Sequence, residues 1–143
     1  MRFTFTVPGE PEGKARPKVN TKTKTAYTPQ KTRTYEAKIR GCYSLQGGGK
    51  YEGAVKVKVT AFFRIPKKYT KKERELIQAG KLLPTKKPDG DNIVKAVLDA
   101  LNGLAYDDDK QVTSHEVMKR YAYGSRKTEC LVITLEEDIP YGY

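Results

Sequence analysis

Hydrophobic and polar residues alternate in four segments of the chain, and this alternation predicts β-strands. The first segment is residues 2–7, and the most regular is residues 54–65, AVKVKVTAFFRI. Two later segments, residues 111–121 and 128–136, are joined by a turn at Gly124-Ser125. A period of two places the apolar side chains of a strand on one face. Each strand is therefore expected to bury one face.

Apolar residues at helical spacing predict three helices between these strands. The first has a threonine cap at residue 32 or 34 and runs to about residue 45. The second begins after Thr70, which resembles an N-cap, and runs to about residue 79. The third, DNIVKAVLDALNG, is capped by residue 91 or 92 and ends at Gly103, a natural C-terminal residue for a helix.

The order of these elements, β-α-β-α-α-β-β, predicts an α+β fold with a mixed or antiparallel sheet and two to three helices. The length of 143 residues suits a single domain, residues 1–143.

Residues 12–34 contain seven basic residues and one acidic residue, and they have few apolar ones. We expect this segment to form an extended basic loop or arm.

The charge of the chain is strongly positive, and its distribution is uneven. The formal net charge is +11 and the pI is about 9.6. Residues 89–143 nevertheless contain eleven acidic and six basic residues, and six of the seven aspartates lie between Asp89 and Asp109. The basic balance favours a nucleic-acid partner, with a solubilising surface as the alternative. The acidic cluster suggests a bound cation, because crowded carboxylates repel one another.

Several classes of protein are disfavoured by the same sequence. Cys42 and Cys130 lie far apart and form no CxxC pattern, so neither a disulfide framework nor a zinc cluster is expected. No apolar run approaches the roughly 18 residues of a membrane span. The N-terminus lacks the continuous apolar core of a signal peptide. We therefore expect a soluble cytoplasmic protein without a membrane partner.

The aspartates fall into two groups that flank the third predicted helix. Asp89 and Asp91 lie in a Pro-Asp-Gly-Asp turn before it, and residues 107–109 follow it as Asp-Asp-Asp. Oxygen donors without histidine or cysteine suit Mg²⁺ or Mn²⁺ and hence phosphodiester hydrolysis. Three alternatives stay open: turn and N-cap roles for the first group, a polar loop for the second, and an Asp91–Lys95 ion pair on a solvated helix face.

Residues 87–112, KPDGDNIVKAVLDALNGLAYDDDKQV, closely resemble the core motif of the RusA family of Holliday junction resolvases. That motif combines an Asp-x-Asp-Asn turn, a lysine one helical turn later, an Asp-Ala-Leu segment and Asp-Asp-x-Gln-Val. The segments GKARPKV and YTPQKTRTYE resemble those of phage- and prophage-associated bacterial members.

The resemblance implies a small homodimeric α+β endonuclease that uses Mg²⁺, with Mn²⁺ as a substitute, to nick two opposed strands of a four-way DNA junction. The essential aspartates of the family correspond to Asp89, Asp91 and Asp109, and its catalytic lysine corresponds to Lys95. Asp108 matches a further acidic position and is a candidate additional metal ligand.

Backbone phosphates of the DNA are expected to contact basic residues of the arm and of the segment before the motif. These residues are Lys14, Arg16, Lys18, Lys31, Arg33, Lys86 and Lys87. One alternative function is a metal-dependent nuclease for other branched DNA, such as forks, flaps or D-loops. Another is a basic junction-binding protein without catalysis.

Overall fold

A four-stranded mixed sheet with two helices packed on one face forms the core of the protein. The computed structural model describes residues 1–14, 18–27, 29–124 and 128–140. The strands are β1 (Arg2–Pro8), β2 (Lys18–Asn20), β3 (Thr25–Tyr27), β4 (Val55–Phe63), β5 (Val112–Tyr121) and β6 (Cys130–Glu137). The helices are α1 (Gln30–Leu45), α2 (Lys71–Gln78) and α3 (Gly90–Leu101), with a short 3₁₀ turn at Asp109–Gln111.

The strand order in the sheet is β1-β6-β4-β5. β6 runs antiparallel to both of its neighbours, whereas β4 and β5 are parallel. Ile133 of β6 pairs with Phe5 on one side and with Val59 on the other, and Val59 also pairs with Val117. Paired residues share a face, so one apolar surface is formed by Phe3, Phe5 and Val7 of β1, the odd-numbered residues of β4, Leu131, Ile133 and Leu135 of β6, and Val117 of β5. This surface is the sheet's contribution to the core.

Helices α1 and α3 cover the apolar face and contact each other. Helix α3 buries Ile93, Val94, Val97 and Leu101. The Arg40 guanidinium of α1 donates hydrogen bonds to the carbonyl oxygens of Ala100 (2.9 Å) and Asn102 (3.1 Å) at the C-terminal end of α3. A positive group there satisfies free carbonyls and complements the helix dipole.

The α+β prediction is confirmed, and the sheet is of the mixed type. The second helix also begins as expected, because Thr70 and Glu73 form a reciprocal capping box. The C-terminal strands β5 and β6 are not neighbours, since β4 lies between them. Ser125 of the predicted turn lies outside the described residues.

Three local expectations differ from the structure. Helix α1 begins at Gln30 with Pro29 at its N-cap position, so Thr32 and Thr34 lie inside the helix and neither caps it. Helix α3 has Asp89 at its N-cap position, so Asp91 lies inside its first turn. The basic arm contains a two-stranded hairpin, with Lys18 paired to Tyr27 in register.

Within the described residues, none of the helices combines the length and apolar character needed to cross a bilayer.

Candidate active site

The turn that leads into α3 presents two aspartates to solvent. Asp89 has an extended backbone (φ −67°, ψ 152°), and its carbonyl oxygen accepts the first helical hydrogen bond from Ile93 N at 3.1 Å. Its carboxylate makes no capping hydrogen bond to the helix. Asp91 is also exposed, in the first turn. Backbone N–H groups at a helix N-terminus favour negative charge, so this turn tolerates both carboxylates.

Lys95 lies one helical turn after Asp91 and is exposed. Residues four apart are neighbours on a helix surface, so Lys95 is adjacent to Asp91 on one side and to Asp99 on the other. Among the described residues, no salt bridge within 4.0 Å joins Lys95 to either of them. The Asp91–Lys95 ion pair that the sequence left open is therefore not formed in this structure.

The second group of aspartates is held at the opposite end of α3. Gly103, with a φ of 79°, turns the chain back after the helix, and the Asp109 N–H donates to Asn102 Oδ1 at 3.1 Å. The Tyr106 side chain is fully buried in this loop and donates its hydroxyl to the carbonyl oxygen of Leu98 at 2.8 Å. The loop after α3 therefore holds the second group beside the C-terminal end of the helix.

Gln111 fixes the backbone of the second group. Its Oε1 accepts hydrogen bonds from the N–H groups of Asp107 (2.9 Å) and Asp108 (3.2 Å). Its Nε2 donates to the carbonyl oxygens of Tyr51 (3.1 Å) and Gly53 (3.0 Å). A single amide thus connects the aspartate loop to the segment before β4.

The carboxylates of Asp108 and Asp109 differ in their surroundings. Asp108 caps the 3₁₀ turn by accepting a hydrogen bond from Lys110 N at 2.9 Å, and this bond lowers its pKa below the ordinary value. The pKa of Asp109 is raised, first by desolvation and then by the adjacent Asp108, with a further contribution from the charge of Asp99. Asp108 therefore stabilises the loop, whereas Asp109 keeps an electrostatically unfavourable charge.

One chain does not bring the two aspartate groups together. Helix α3 has 12 residues, which correspond to about 18 Å of length. Gly90 at its first residue packs against Val117 in the middle of β5, whereas Asp109 precedes the start of β5. No group of three histidine, cysteine, aspartate or glutamate side chains that could hold a metal ion is found in the described parts of the chain.

A groove with basic residues adjoins the Asp89 turn. One part, of about 500 Å³, is lined by Gly13, Lys14, Lys87, Pro88, Asp89 and Asn92. The other part, of about 420 Å³, continues past Pro88 to Lys31 and Thr32 and also contains Glu10 and Glu12. Lys87, Pro88 and Gly13 line both parts. The groove therefore connects the Asp89 carboxylate with the start of α1.

The basic residues predicted to contact DNA have different surroundings. Lys31, Arg33, Lys86 and Lys87 are exposed. Lys31 lies 3.9 Å from Glu12, and Lys119 Nζ donates to the Lys86 carbonyl oxygen at 2.5 Å. Lys14 is mostly buried and forms an ion pair with Asp99. Arg16 and the side chain of Lys18 lie outside the described residues.

The sequence of this chain matches a known family over most of its length. Residues 8–132 match the profile described as Endodeoxyribonuclease RusA. The chain therefore belongs to the RusA endodeoxyribonuclease family, a class of crossover junction nucleases that depend on a metal ion.

A curated relative extends this comparison. The chain is 36% identical over 123 residues to the uncharacterized protein YqaN of Bacillus subtilis (strain 168). The alignment covers 82% of this chain and 87% of the relative.

Reasoning from the sequence assigned no role to Asn102 and Gln111, although Gln111 belongs to the quoted motif. Their amide side chains bind the backbone of the second aspartate group. A glutamine two residues after an acidic run gives little local signal for this role, because its donor contacts are to residues 58 and 60 positions away in the sequence.

Replacement of Gln111 by alanine is expected to destabilise the protein. The change removes four hydrogen bonds and leaves backbone groups without their partner, at a cost of about 1–3 kcal/mol in the free energy of unfolding. Chemical denaturation measures the loss. Gln111→Glu is the matched variant: it keeps the acceptor for the two aspartate N–H groups but loses the donor to Tyr51 and Gly53. If both variants were as stable as the wild-type protein, the role of Gln111 in fixing the aspartate loop would be contradicted.

Substitution of Asp108 is expected to destabilise the protein at pH 7, whereas substitution of Asp109 is not. Asp108→Ala removes a capping acceptor whose pKa is lowered on folding, so it should reduce the melting temperature. Asp109→Asn removes a charge whose pKa is raised on folding, so it should leave the melting temperature unchanged or raise it. The Asp108 contribution exists above its unfolded pKa and is lost as the pH falls through its lower folded pKa. A clear loss of stability in Asp109→Asn would contradict this assignment.

Proposed function

We propose that this protein is a Mg²⁺-dependent, structure-specific endodeoxyribonuclease that resolves Holliday junctions by paired nicks in DNA recombination and repair. The observation that carries the proposal is the Asp89 turn. Its two carboxylates are exposed at a helix N-terminus, and a groove leads from Asp89 to basic side chains. Membership of the RusA family supports the same activity.

The chemistry of the carboxylates fits a magnesium ion. Asp89, Asp91 and Asp109 offer only oxygen donors, which Mg²⁺ prefers, and Mn²⁺ accepts the same ligands. Mg²⁺ in phosphoryl enzymes is commonly held by one or two carboxylates together with substrate phosphate oxygens rather than by a closed protein cage. When bound, such an ion activates water and stabilises the leaving oxygen. Asp108 is a weaker candidate ligand, because it already caps the 3₁₀ turn.

Lys95 and the groove are assigned to the DNA. The Lys95 ammonium orients the scissile phosphate and offsets negative charge in the transition state. Hydrolysis breaks the bond between phosphorus and the 3′ oxygen and leaves a 5′-phosphate and a 3′-hydroxyl. Lys31, Arg33, Lys86 and Lys87 contact neighbouring phosphates and position the strand without reading its sequence. Arg16 and Lys18 are proposed to extend this contact along the arm.

The separation of the two aspartate groups leads us to include a homodimer in the proposal. Because α3, a helix of 12 residues and about 18 Å in length, lies between Asp89 and Asp109 in one chain, we propose that a second copy supplies the third carboxylate. A two-fold dimer would place Asp109 of each copy beside Asp89 and Asp91 of the other. It would also have the symmetry of two opposed nicks in a four-way junction.

Cleavage of a synthetic four-way junction tests the proposed activity. Wild-type protein with Mg²⁺ is expected to produce paired nicks in strands of like polarity and to leave linear duplex intact. EDTA and Asp91→Asn should each abolish the nicks. Lys68→Gln, at an exposed lysine outside the groove, serves as a surface control. Faster cutting of forks, flaps or D-loops would assign another branched substrate. Tight junction binding without nicks in Mg²⁺ or Mn²⁺ would contradict the enzyme proposal.

Mixed dimers test whether the site is shared between two copies. Asp91→Asn and Asp109→Asn protein should each be inactive alone. After mixing and subunit exchange, a shared site predicts that one of the two sites in a mixed dimer has all three aspartates. Single nicks should then appear, at up to about one quarter of the wild-type rate per site, since about half of the dimers at equilibrium are mixed and each mixed dimer has one intact site of two. Continued inactivity of the mixture, with exchange verified by mass, would contradict a shared site.

A further inference from the structure

Residues 11–14 pass directly over the first turns of α3. A Cβ atom on Gly13 would lie 2.9 Å from the Pro88 Cβ and 3.0 Å from the Asn92 Cβ, so only glycine fits this approach. The N–H of Lys14 donates to the carbonyl oxygen of Asn92 at 3.0 Å. The backbone of Lys14 is thereby fixed on the helix that carries Asp91 and Lys95.

The side chain of Lys14 continues along the same helix to Asp99. Its ammonium forms a hydrogen-bonded ion pair with Asp99 Oδ2 and lies 3.9 Å from Glu36 Oε2. The side chains of Lys14, Asp99 and Glu36 are 20%, 26% and 17% exposed, so solvent screens this pair less than a pair at the surface. Lys14 is therefore positioned for a contact within the protein.

The position of Asp99 gives this ion pair a consequence for Lys95. Asp99 lies four residues after Lys95, at the spacing where helical side chains of opposite charge pair. An Asp99 carboxylate without another partner would attract the Lys95 ammonium away from a bound phosphate. The structure instead pairs Asp99 with Lys14, and no salt bridge of Lys95 is found in the described part of the chain.

We propose that Lys14 is a positioning residue. It forms an ion pair with the Asp99 carboxylate and thereby keeps the Lys95 ammonium available for the scissile phosphate. This inference rests on the proposed function, because it takes the role of Lys95 from there. It gives Lys14 a role different from that of a phosphate contact in the DNA-binding arm. The two roles predict different results for the same substitutions.

Kinetics with the four-way junction distinguish the roles. Lys14→Gln is expected to lower kcat by about tenfold or more, with junction affinity in Ca²⁺ within about twofold of wild type. Adding Asp99→Asn to Lys14→Gln should restore kcat to within about threefold of wild type, because the carboxylate that competes for Lys95 is gone. Lys14→Arg should retain most of the activity, and Lys68→Gln controls for loss of one positive charge.

A phosphate contact by Lys14 would give the opposite pattern. Lys14→Gln would then weaken junction binding and reduce the slope of log affinity against log salt by about 1. Adding Asp99→Asn would not restore cleavage. Either result would overturn the proposed role of Lys14.

Folding stability tests the same pairing without nuclease activity. The coupling between Lys95→Gln and Asp99→Asn is measured by a double-mutant cycle in chemical denaturation. With Lys14 present, the coupling should be within experimental error of zero. In the Lys14→Gln background, a favourable coupling between Lys95 and Asp99 should appear. Equal coupling in both backgrounds would overturn the inference. This measurement does not depend on cleavage, so it tests the role of Lys14 even if the wild-type protein cuts no junction.

Discussion

The packing of α3 against the sheet determines where every candidate catalytic group lies. Gly90 begins the helix so close to β5 that an added Cβ would be 3.0 Å from Val117 Cγ1. Six buried residues, all with aliphatic side chains, then hold the helix on the apolar face, and Arg40 binds the carbonyl oxygens at its end. The helix is thus fixed at both ends. Asp89 and Asp91 lie at its start and Asp109 beside its end, so their separation follows from its length.

The acidic residues near α3 fall into two classes that differ in what they bind. Asp99 pairs with Lys14, and Asp107 pairs with Lys50 at 2.5 Å. For Asp89, Asp91 and Asp109, no salt bridge is found among the described residues of a chain whose net charge is +11. Asp89 and Asp91 lie at a helix N-terminus, which favours negative charge, whereas Asp109 keeps an unfavourable charge at the surface. Sites that bind cations and phosphates commonly retain such unfavourable charge at a cost in stability.

Local patterns in the sequence predicted what depends on neighbouring residues. Strict alternation gave the position of β4, and Thr70 was correctly predicted as the N-cap of α2. The strand order could not be predicted in this way, because β6 is inserted between β1 and β4 by pairings between distant residues. The hairpin of the basic arm was also missed, since its strands have only three residues each and little apolar character.

The candidate site shows the same division between local and distant contacts. The motif identified Asp89, Asp91, Lys95 and Asp109 as a group. Spacing in the sequence did not show that α3 holds Asp109 apart from the other three. The ion pair of Lys14 joins residues 85 positions apart. From the sequence, Lys14 is one of seven basic residues between positions 12 and 34. Only the tertiary structure distinguishes Lys14, through its ion pair with Asp99, from the other basic residues of this segment.

A rigid helix between the aspartates has a consequence for the control of cleavage under the proposed function. Each chain alone would present two incomplete parts of a site, so a free monomer would not hydrolyse DNA. A two-fold dimer would complete two sites together and in a fixed relation to each other. No moving loop is needed for this restriction, because the length of α3 imposes it. Paired nicking would then depend on assembly of the dimer. Each completed site would also need a Lys95 ammonium that is not paired with a neighbouring carboxylate.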